Sequence, residues 1–363
     1  MRAKISKCLY CLTLLAAAMS SWLGYSITKH NIRGSIPKPD REILRFENSK
    51  QKQLISDESV EAESISAKNH SKNLGVLAQH SWTPVSALHN YNYLQNNRLK
   101  CERAYTTVIA IVASAPGNFD RRNVIRMTWI QRAIEFKFAM KVMFILGETS
   151  DRSVGYRIKQ EAYIHKDIIQ EDFQDTYLNL TVKTIGALKW ATQSCPRAKF
   201  FMKLDDDVVV NVGNLTWFLE KHVPSSNYLG GIPIFGARVY RDPTEKWYTP
   251  MEIYPNETYP PYTEGKAYVM SMDVAERIYN HSQTLQIFPW EDIFIGICAK
   301  HLNIVPQEII CFLERDLLKV RYEDKLVKSN KTLKNVRFLY VVYDLDVEEM
   351  IDVWRAWMSN SWG

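Results

Sequence analysis

The fold is decided by residues 199–211, KFFMKLDDDVVVN, in which three adjacent carboxylates stand between two apolar runs. The apolar run before the acids is typical of a buried strand, and helical patterns alternate with further strands along the chain. This alternation predicts an α/β fold with a parallel sheet covered by helices on both faces. Ligands bind beyond the carboxyl ends of the strands in such sheets. The position of the acids therefore favours a functional site over a solvated surface turn.

Apolar periodicity predicts the neighbouring elements. The most regular helix is expected at 176–193, where apolar side chains recur at three- and four-residue spacing, at Leu178, Val182, Ile185 and Leu188. Further helices are predicted at 121–133 and 152–164, and strands at 106–114, 141–147, 166–170 and 199–204. The C-terminal stretch DVEEMIDVWRAWM predicts an amphipathic helix that packs through Met350, Val353, Trp354 and Trp357.

The three acids suggest a cation site. Alternate side chains of an extended segment share a face, so Asp205 and Asp207 are expected to point one way and Asp206 the other. Two carboxylates on one side of a crevice suit Mn²⁺ or Mg²⁺, which commonly bind one or two carboxylates together with substrate phosphates. Such a metal would act as a Lewis acid on a departing diphosphate. The alternative is an acidic cluster in a turn or at a helix start.

A second acidic pair, Glu291 and Asp292, lies in PWEDIFIG at 289–296. Neighbouring Trp290 and Phe294 would partly desolvate a carboxylate there, which raises its pKa and favours a general base. The alternative is a pair of acids at the start of a helix over 293–301, where carboxylates are favoured. Between the two acid sites, YPPYTEGKAYVMS at 259–271 is rich in Tyr and Pro, which suits either sugar-ring contacts or core packing.

The composition is that of a globular protein with an N-terminal extension. The chain has 363 residues, 46% of them hydrophobic, and a net charge of +6 without a basic stripe, which disfavours nucleic-acid binding. Residues 8–27 carry no charge and are long enough for a transmembrane helix, with a cleaved signal peptide as the alternative. Basic residues in 1–7 favour a cytoplasmic tail. Polar residues 28–97 predict a flexible stem, and the globular domain is expected at 98–363.

Sequons and cysteines agree with a lumenal or extracellular domain. Six N-x-[ST] triplets are candidate glycosylation sites, at Asn69, Asn179, Asn214, Asn256, Asn280 and Asn330. Four cysteines follow the predicted anchor, Cys101, Cys195, Cys298 and Cys311, which allow one or two disulfides in three full connectivities, or buried free thiols.

From residue 101 to about 355 the chain resembles the β-1,3-galactosyltransferase family, whose members are related to fringe. Five motifs of that family occur in family order: RRNVIRMTW at 121–129, DFQDTYLNLTVKT at 172–184, KFFMKLDDDVVVN, YPPYTEGKAYVMS and EDIFIG. The resemblance implies a glycosyltransferase A-type, Rossmann-like fold in a Golgi membrane protein of type II topology. It further implies metal-dependent, inverting transfer of galactose from UDP-galactose to an acceptor sugar on a glycolipid or glycoprotein, in a β-1,3 linkage.

The resemblance also implies roles for single residues. Asp207 would bind Mn²⁺ directly, with Asp205 nearer to the ribose or to a metal-bound water. Asp292 would be the catalytic base, with Glu291 as the other candidate. Residues expected on the nucleotide side are Asp206, Arg122, Arg126 and Lys203, and pairing with acidic neighbours is the alternative for the two arginines and the lysine.

One position departs from the family pattern. Many relatives carry a histidine in the segment that corresponds to VVYDLDVEEM at 341–350, and here Tyr343 stands in its place. The second metal ligand is therefore open. Two other functions follow as alternatives: a β-1,3-N-acetylglucosaminyl- or N-acetylgalactosaminyltransferase of the same family, and a non-catalytic glycan-binding relative.

Overall fold

The structure, a computed structural model, describes residues 91–97, 101, 106–314 and 339–360, without the side chains of 359 and 360. The predicted tail, membrane anchor and most of the stem lie outside these residues, as do Asn69 and Asn330. No helix within the described ranges is long and apolar enough to cross a bilayer.

A mixed eight-stranded sheet forms the centre of the fold, in the order β1-β4-β3-β2-β5-β10-β7-β11. Its strands are β1 (Tyr93–Gln95), β2 (Val108–Ala113), β3 (Met140–Glu148), β4 (Ile168–Gln174), β5 (Phe200–Asp205), β7 (Leu229–Gly231), β10 (Ala267–Ser271) and β11 (Gln307–Glu308). Two small sheets complete the described strands, β12-β13-β6 and β8-β9, built from β6 (Val209–Val210), β8 (Pro233–Ile234), β9 (Tyr262–Thr263), β12 (Phe312–Glu314) and β13 (Val341–Tyr343).

The sheet is only partly parallel, which corrects the parallel sheet predicted from sequence. Strands β4, β3, β2 and β5 are parallel neighbours. In contrast, β1 runs antiparallel to β4, and β10 runs antiparallel to β5 and β7. Strand β1 falls within the last residues of the predicted stem, so the sheet begins before residue 98.

Helices cover both faces of the sheet. They are α1 (Phe119–Ile125), α2 (Gln131–Glu135), α3 (Arg152–His165), α4 (Leu180–Ser194), α5 (Val212–His222), α6 (Met272–Ser282), α7 (Glu291–His301) and α8 (Val347–Asn360). Helix α4 packs on β2, β3 and β5 and also contacts α6 and α7, whereas α8 packs against α1. Strand β2 is buried along almost its whole length, since side chains on both of its faces meet helices. This explains its continuous apolar run.

Two predicted helices differ locally from expectation. The helix expected at 121–133 consists of α1, a π-helical segment Arg126–Ile130 and α2. The helix expected at 176–193 begins with a 3₁₀ turn, Tyr177–Asn179, before α4. Helix α8 is amphipathic as predicted, with Met350, Val353 and Trp357 buried and Trp354 partly buried. The remaining helices and strands overlap their predicted ranges.

Among the described cysteines, one disulfide joins Cys101 and Cys195 at the end of α4. Cys298 and Cys311 are buried and form no disulfide within the described part of the chain. The pairing joins residues 94 positions apart and ties the chain just before β2 to the helix that covers it.

The acids of 205–207 lie where three parts of the chain meet. Strand β5 ends at Asp205, and β10 returns beside it so that Ala267 pairs with Leu204. Strand β6 follows the acids and pairs with β13, which brings the C-terminal segment to the same corner. The backbone N–H of Leu345 donates to the carbonyl of Asp207, 3.1 Å away.

Candidate active site

Asp206 faces the chain that follows β2 and is buried there. Its Oδ2 accepts hydrogen bonds from Ser114 Oγ at 2.6 Å and from Asn118 Nδ2 at 2.9 Å. Its Oδ1 accepts from Arg121 Nη1 at 3.1 Å. The carboxylate thus joins the end of β5 to the turn after β2 and to α1.

Asp205 and Asp207 share a contact on the side of β10. Both contact the same lysine, Lys266, whose Nζ lies 3.8 Å from Asp205 Oδ2 and 3.0 Å from Asp207 Oδ2. Asp205 also accepts a hydrogen bond from buried Lys203 at 2.6 Å. Burial and the charge of Asp205 raise the pKa of Asp207 above its usual value.

Lys266 is the centre of a carboxylate cluster. Besides Asp205 and Asp207 it contacts Asp344, with Nζ 2.7 Å from Oδ1. Burial by itself lowers the pKa of Lys266. The charge of Asp207 and the hydrogen bond to Asp344 outweigh this effect, so that the pKa is raised. The ammonium is therefore charged throughout the neutral pH range.

The residues at this corner do not fit a divalent cation while Lys266 is in place. Asp207 Oδ1 is buried and has no hydrogen-bond partner among the described residues, so one oxygen is open to a ligand. The nearest oxygens of Asp207 and Asp344, however, already hold the ammonium of Lys266, which a divalent cation would have to displace. No group of three His, Cys, Asp or Glu side chains within the described ranges converges as a metal site.

The segment after β13 supplies Asp344 in an unusual backbone conformation. Asp344 has φ +61°, a left-handed value that Asp tolerates better than most residues because its short side chain can bond locally. The preceding Tyr343, at the position where the family pattern has histidine, is buried and donates its hydroxyl to Glu264 Oε2 at 2.6 Å. Tyr343 thus points to Glu264 and links β13 to the segment after β9.

Glu291 is held in the interior at the first turn of α7. Tyr268 Oη donates to its Oε1 at 2.5 Å, and Lys203 Nζ lies 3.5 Å from its Oε2. Burial raises the pKa of Glu291 to about 7, and Lys203 opposes part of that shift. With only 7% of the residue exposed, Glu291 holds α7 against β10 and β5.

Asp292 is the more accessible acid of the pair. One of its oxygens, Oδ1, accepts the backbone N–H of Ile293 at 2.8 Å, and the side chain is only partly buried. Burial raises its pKa, and the hydrogen bond from Ile293 and the charge of Lys203 oppose the rise. The turn between β9 and β10 lies against both acids. A Cβ added to Gly265 in this turn would stand 3.1 Å from Glu291 Oε2 and 3.5 Å from Asp292 Oδ2.

An aromatic rim, defined here as Tyr177, Tyr240 and Trp247, lies beside this acid pair. Its side chains are 44% to 48% exposed. Trp247 Nε1 donates to Tyr177 Oη at 3.2 Å, and the rings of Tyr240 and Trp247 are 5.9 Å apart. The Tyr177 ring lies 6.3 Å from that of Trp290, the residue before α7. Burial raises the pKa of Tyr177, and the nearby charge of Asp292 raises it further.

Arg122 and Arg126 form buried ion pairs with acids other than Asp205, Asp206 and Asp207. Arg122 is completely buried and pairs with Glu161 at 2.8 Å. Arg126 pairs with Glu161 at 2.6 Å and with Asp167 at 2.8 Å. These contacts correspond to the structural alternative and hold α1 against α3.

Four of the predicted glycosylation sites lie among the described residues. Asn256 and Asn280 are exposed, whereas Asn214 and Asn179 are partly buried. The Asn179 amide donates to the carbonyl of Gln174 at 2.8 Å.

Sequence reasoning missed three charged residues of the site, Arg121, Lys266 and Asp344. Arg121 stands directly before the predicted Arg122, but it is the one that reaches Asp206 and, at 3.7 Å, Asp207. Lys266 lies inside a motif chosen for its aromatics. Its charge was the available signal, but its position opposite Asp205 depends on the antiparallel register of β10, which the sequence does not specify.

Paired acids with their own basic partners and an aromatic rim near the end of a central strand fit a glycosyltransferase, and the comparisons agree. A galactosyltransferase family model matches residues 120–309. Beta-1,3-galactosyltransferase 1 of Homo sapiens is 33% identical over 274 residues, covering 75% of this chain and 80% of that protein. The chain belongs to the β-1,3-galactosyltransferase family and is a glycosyltransferase.

Two further relatives carry names with a different sugar. Lactosylceramide 1,3-N-acetyl-beta-D-glucosaminyltransferase of Xenopus tropicalis is 36% identical over 264 residues, which cover 69% of this chain and 70% of that protein. Its counterpart B of Xenopus laevis is 39% identical over 231 residues, 61% of each chain. The family resemblance stated from the motifs is thereby confirmed.

Proposed function

We propose that this glycosyltransferase transfers galactose from UDP-galactose to a hydroxyl of an acceptor sugar on a glycolipid or glycoprotein, with inversion and in a β-1,3 linkage. The observation that carries this proposal is the partly exposed carboxylate of Asp292, which lies against Gly265, next to Lys266, and whose charge acts on Tyr177 of the aromatic rim. An acceptor hydroxyl bound at the rim would meet a base there. The sheet and its flanking helices would then be of the glycosyltransferase A type.

Asp292 acts as the base in this proposal. The acceptor oxygen forms a bond to the anomeric carbon while the bond from that carbon to the diphosphate oxygen breaks, and its electron pair leaves with UDP. The acceptor proton passes to the Asp292 carboxylate. The raised pKa of Asp292 suits this role, because a stronger base takes up the proton more readily.

Glu291 acts as a positioning residue. Its hydrogen bond from Tyr268 and its contact with Lys203 fix the first turn of α7, on which Asp292 stands. The N-terminus of α7 also favours negative charge on both acids. Asp206 is a positioning residue where the UDP-sugar is proposed to bind, since the three hydrogen bonds that it accepts hold the segment after β2.

The aromatic rim supports a sugar acceptor. Exposed Tyr and Trp rings combine an apolar face with a polar group. A sugar ring has the same combination, with apolar C–H faces and polar hydroxyls, so the two surfaces match. Arg241 holds the loop that carries Tyr240 and Trp247 of the rim, since its guanidinium donates to the carbonyls of Thr249, Tyr254 and Asn256 at 2.7 to 2.8 Å. The rim is therefore a fixed surface within the described residues.

Transfer of N-acetylglucosamine from UDP-N-acetylglucosamine is the second candidate function. It is favoured by the identities of 36% and 39% to the two Xenopus relatives, which exceed the 33% to the galactosyltransferase. N-acetylgalactosamine is the third donor sugar to compare. We further propose that the chain is a type II protein of the Golgi membrane with its globular domain in the lumen, an assignment supported by the uncharged stretch at 8–27.

Transfer assays with the purified full chain test the reaction. We expect transfer from one UDP-sugar of a panel of UDP-galactose, UDP-N-acetylglucosamine and UDP-N-acetylgalactosamine, each with lactosylceramide and a free disaccharide as acceptors. Asp292→Asn should lower the rate by about 10²- to 10⁴-fold, as expected for the loss of a general base, with unchanged UDP affinity.

Glu348→Gln is the matched control, because Glu348 is an exposed acid in the first turn of another helix, α8. It should transfer at the wild-type rate. Wild-type rates in Asp292→Asn would exclude Asp292 as the base, and preference for UDP-N-acetylglucosamine would select the second candidate function.

A further inference from the structure

Lys266 occupies the place between the acids where a metal ion was predicted. Its Nζ contacts Asp344 at 2.7 Å and Asp207 at 3.0 Å, with Asp205 at 3.8 Å. These carboxylates come from the end of β5 and from the segment after β13, and Lys266 comes from the turn before β10. Carboxylates from two distant parts of the chain therefore converge on an ammonium from a third.

The side chain of Lys266 is also partly exposed to solvent. The side chain of Lys266 is 31% exposed, in contrast to Lys203, whose side chain is 5% exposed and which donates to Asp205 and to the carbonyl of Gly265. An ammonium has three N–H donors. Two are used by Asp207 and Asp344, which leaves one donor for an anion that reaches the corner from solvent.

A second cation stands at the same corner. Arg121 Nη1 lies 3.7 Å from Asp207 Oδ2, and its side chain is 33% exposed. Guanidinium groups bind phosphate oxygens well because their donors form a planar fork. Lys266 and Arg121 thus contact the same carboxylate, Asp207, and both remain partly open to solvent.

We propose that Lys266, assisted by Arg121, is the cation that binds the diphosphate of the nucleotide donor in this protein, in place of a divalent metal ion. The proposal rests on the UDP-sugar donor proposed above. It concerns ligands of the nucleoside diphosphate class, and it predicts that UDP binds to this chain without Mn²⁺. Asp205, Asp207 and Asp344 would orient the ammonium rather than bind a metal.

The inference predicts a specific role for the charge at position 266. Lys266→Met keeps the length of the side chain and removes its charge, and Lys266→Arg keeps the charge. Without the ammonium, Asp205, Asp207 and Asp344 become free to hold a divalent cation. The Met variant is therefore expected to need Mn²⁺ for UDP binding, whereas the wild type and the Arg variant are not.

Binding of UDP to the purified full chain, measured by calorimetry in excess EDTA and in saturating Mn²⁺, tests this. We expect similar affinities of the wild type in both conditions. Lys266→Met should bind UDP about tenfold more weakly or worse in EDTA, the loss expected for one charge-assisted hydrogen bond, and should regain affinity in Mn²⁺. Paramagnetic resonance of Mn²⁺ without nucleotide should show binding by Lys266→Met and none by the wild type.

The control is Lys300→Met, since Lys300 is an exposed lysine near the end of α7. It should bind UDP as the wild type does, and thermal unfolding confirms that each variant is folded. Wild-type binding that requires Mn²⁺, or unchanged affinity of Lys266→Met in EDTA, would overturn the inference and leave the proposed donor intact. Absence of UDP binding by the wild type in both conditions would overturn the proposed donor as well.

Discussion

At the scale of single residues, the three adjacent acids are stable at the end of β5 because each has its own cation. Lys203 pairs with Asp205, Arg121 with Asp206 and Lys266 with Asp207. Since these cations come from β5, from α1 and from the turn before β10, the charge balance exists only after the chain has folded. The repulsion that the sequence suggests is thus compensated by Lys203 within the same strand and by two residues that are distant along the chain, Arg121 and Lys266.

The negative charge of Glu171 in β4 is less well balanced by nearby cations. It is completely buried, its Oε2 has no hydrogen-bond partner within the described part of the chain, and Lys189 lies 3.5 Å from its Oε1. Burial raises the pKa of Glu171 from 4.5 to about 6 despite the opposing charge of Lys189. The folded state therefore holds a proton between these pH values that the unfolded chain releases.

This predicts a pH dependence of stability. Because the pKa is higher in the folded state, the contribution of Glu171 is fully present below about pH 4.5, is lost as the pH rises to about 6, and amounts to about 2 kcal/mol. Glu171→Gln stays neutral, so the difference in unfolding free energy between this variant and the wild type should change by that amount in urea titrations across this range. Glu276→Gln, on the exposed face of α6, is the control. A difference that is constant with pH would show that Glu171 is ionised normally.

At the scale of elements, the position of α7 depends on close contact with β9. A Cβ added to Gly296 would lie 2.5 Å from the Cβ of Tyr262 and 2.9 Å from the carbonyl oxygen of Pro261. Only a residue without a side chain allows α7 to approach this strand so closely. Since α7 carries Glu291 and Asp292, this contact also sets where the two acids stand.

Replacement of Gly296 by alanine should therefore destabilise the fold. Alanine is favoured over glycine within a helix by about 1 kcal/mol, but the overpacking against Tyr262 outweighs this gain, and we expect a net loss of about 1–3 kcal/mol. Gly155→Ala in α3 is the matched control. Its Cβ would meet only Thr149 Cγ2 at 3.9 Å, so it should stabilise by about 0.5–1 kcal/mol in urea unfolding. A stabilising Gly296→Ala would show that α7 can move away from β9.

The central elements could be predicted from sequence because their signals are local. Strands β2, β3 and β5 are buried on both faces and therefore read as continuous apolar runs. The antiparallel insertion of β10 beside β5 could not be predicted, because its register depends on contacts between distant segments. For the same reason the acids of the site were found and the lysine between them was not.

The partners of Arg122 and Arg126 could not be predicted from the local sequence either. A basic residue in a motif has the same local appearance whether it binds a ligand or an acid of the protein. Arg122 and Arg126 meet Glu161 and Asp167, which belong to α3 and the segment after it. Arg121 points to Asp206 instead. Only the packing of α1 between these groups distinguishes adjacent arginines.

At the scale of the whole molecule, the disulfide and the sequons are relevant to the proposal that the globular domain lies in the lumen. The Cys101–Cys195 bond closes a long segment, and structural disulfides of this kind persist in oxidising compartments. Asn256 and Asn280 are exposed, and Asn280 stands on α6, on a different element from the acids. Both asparagines are therefore accessible to glycosylation in the proposed lumenal orientation.

Glycosylation of the full chain in secretory cells tests that orientation. We expect glycosidase treatment to shift the electrophoretic mobility of the chain, and the shift should be smaller in the double variant Asn256→Gln, Asn280→Gln. Asn227→Gln is the control, because Asn227 lies outside any N-x-[ST] triplet. A globular domain that stays on the cytosolic side would carry no glycan, because N-glycans are added in the secretory pathway. An unmodified chain, with protease cleaving its domain in sealed vesicles, would contradict the type II topology, whereas a glycosylated and protected domain would place Asp292 and Lys266 in the lumen.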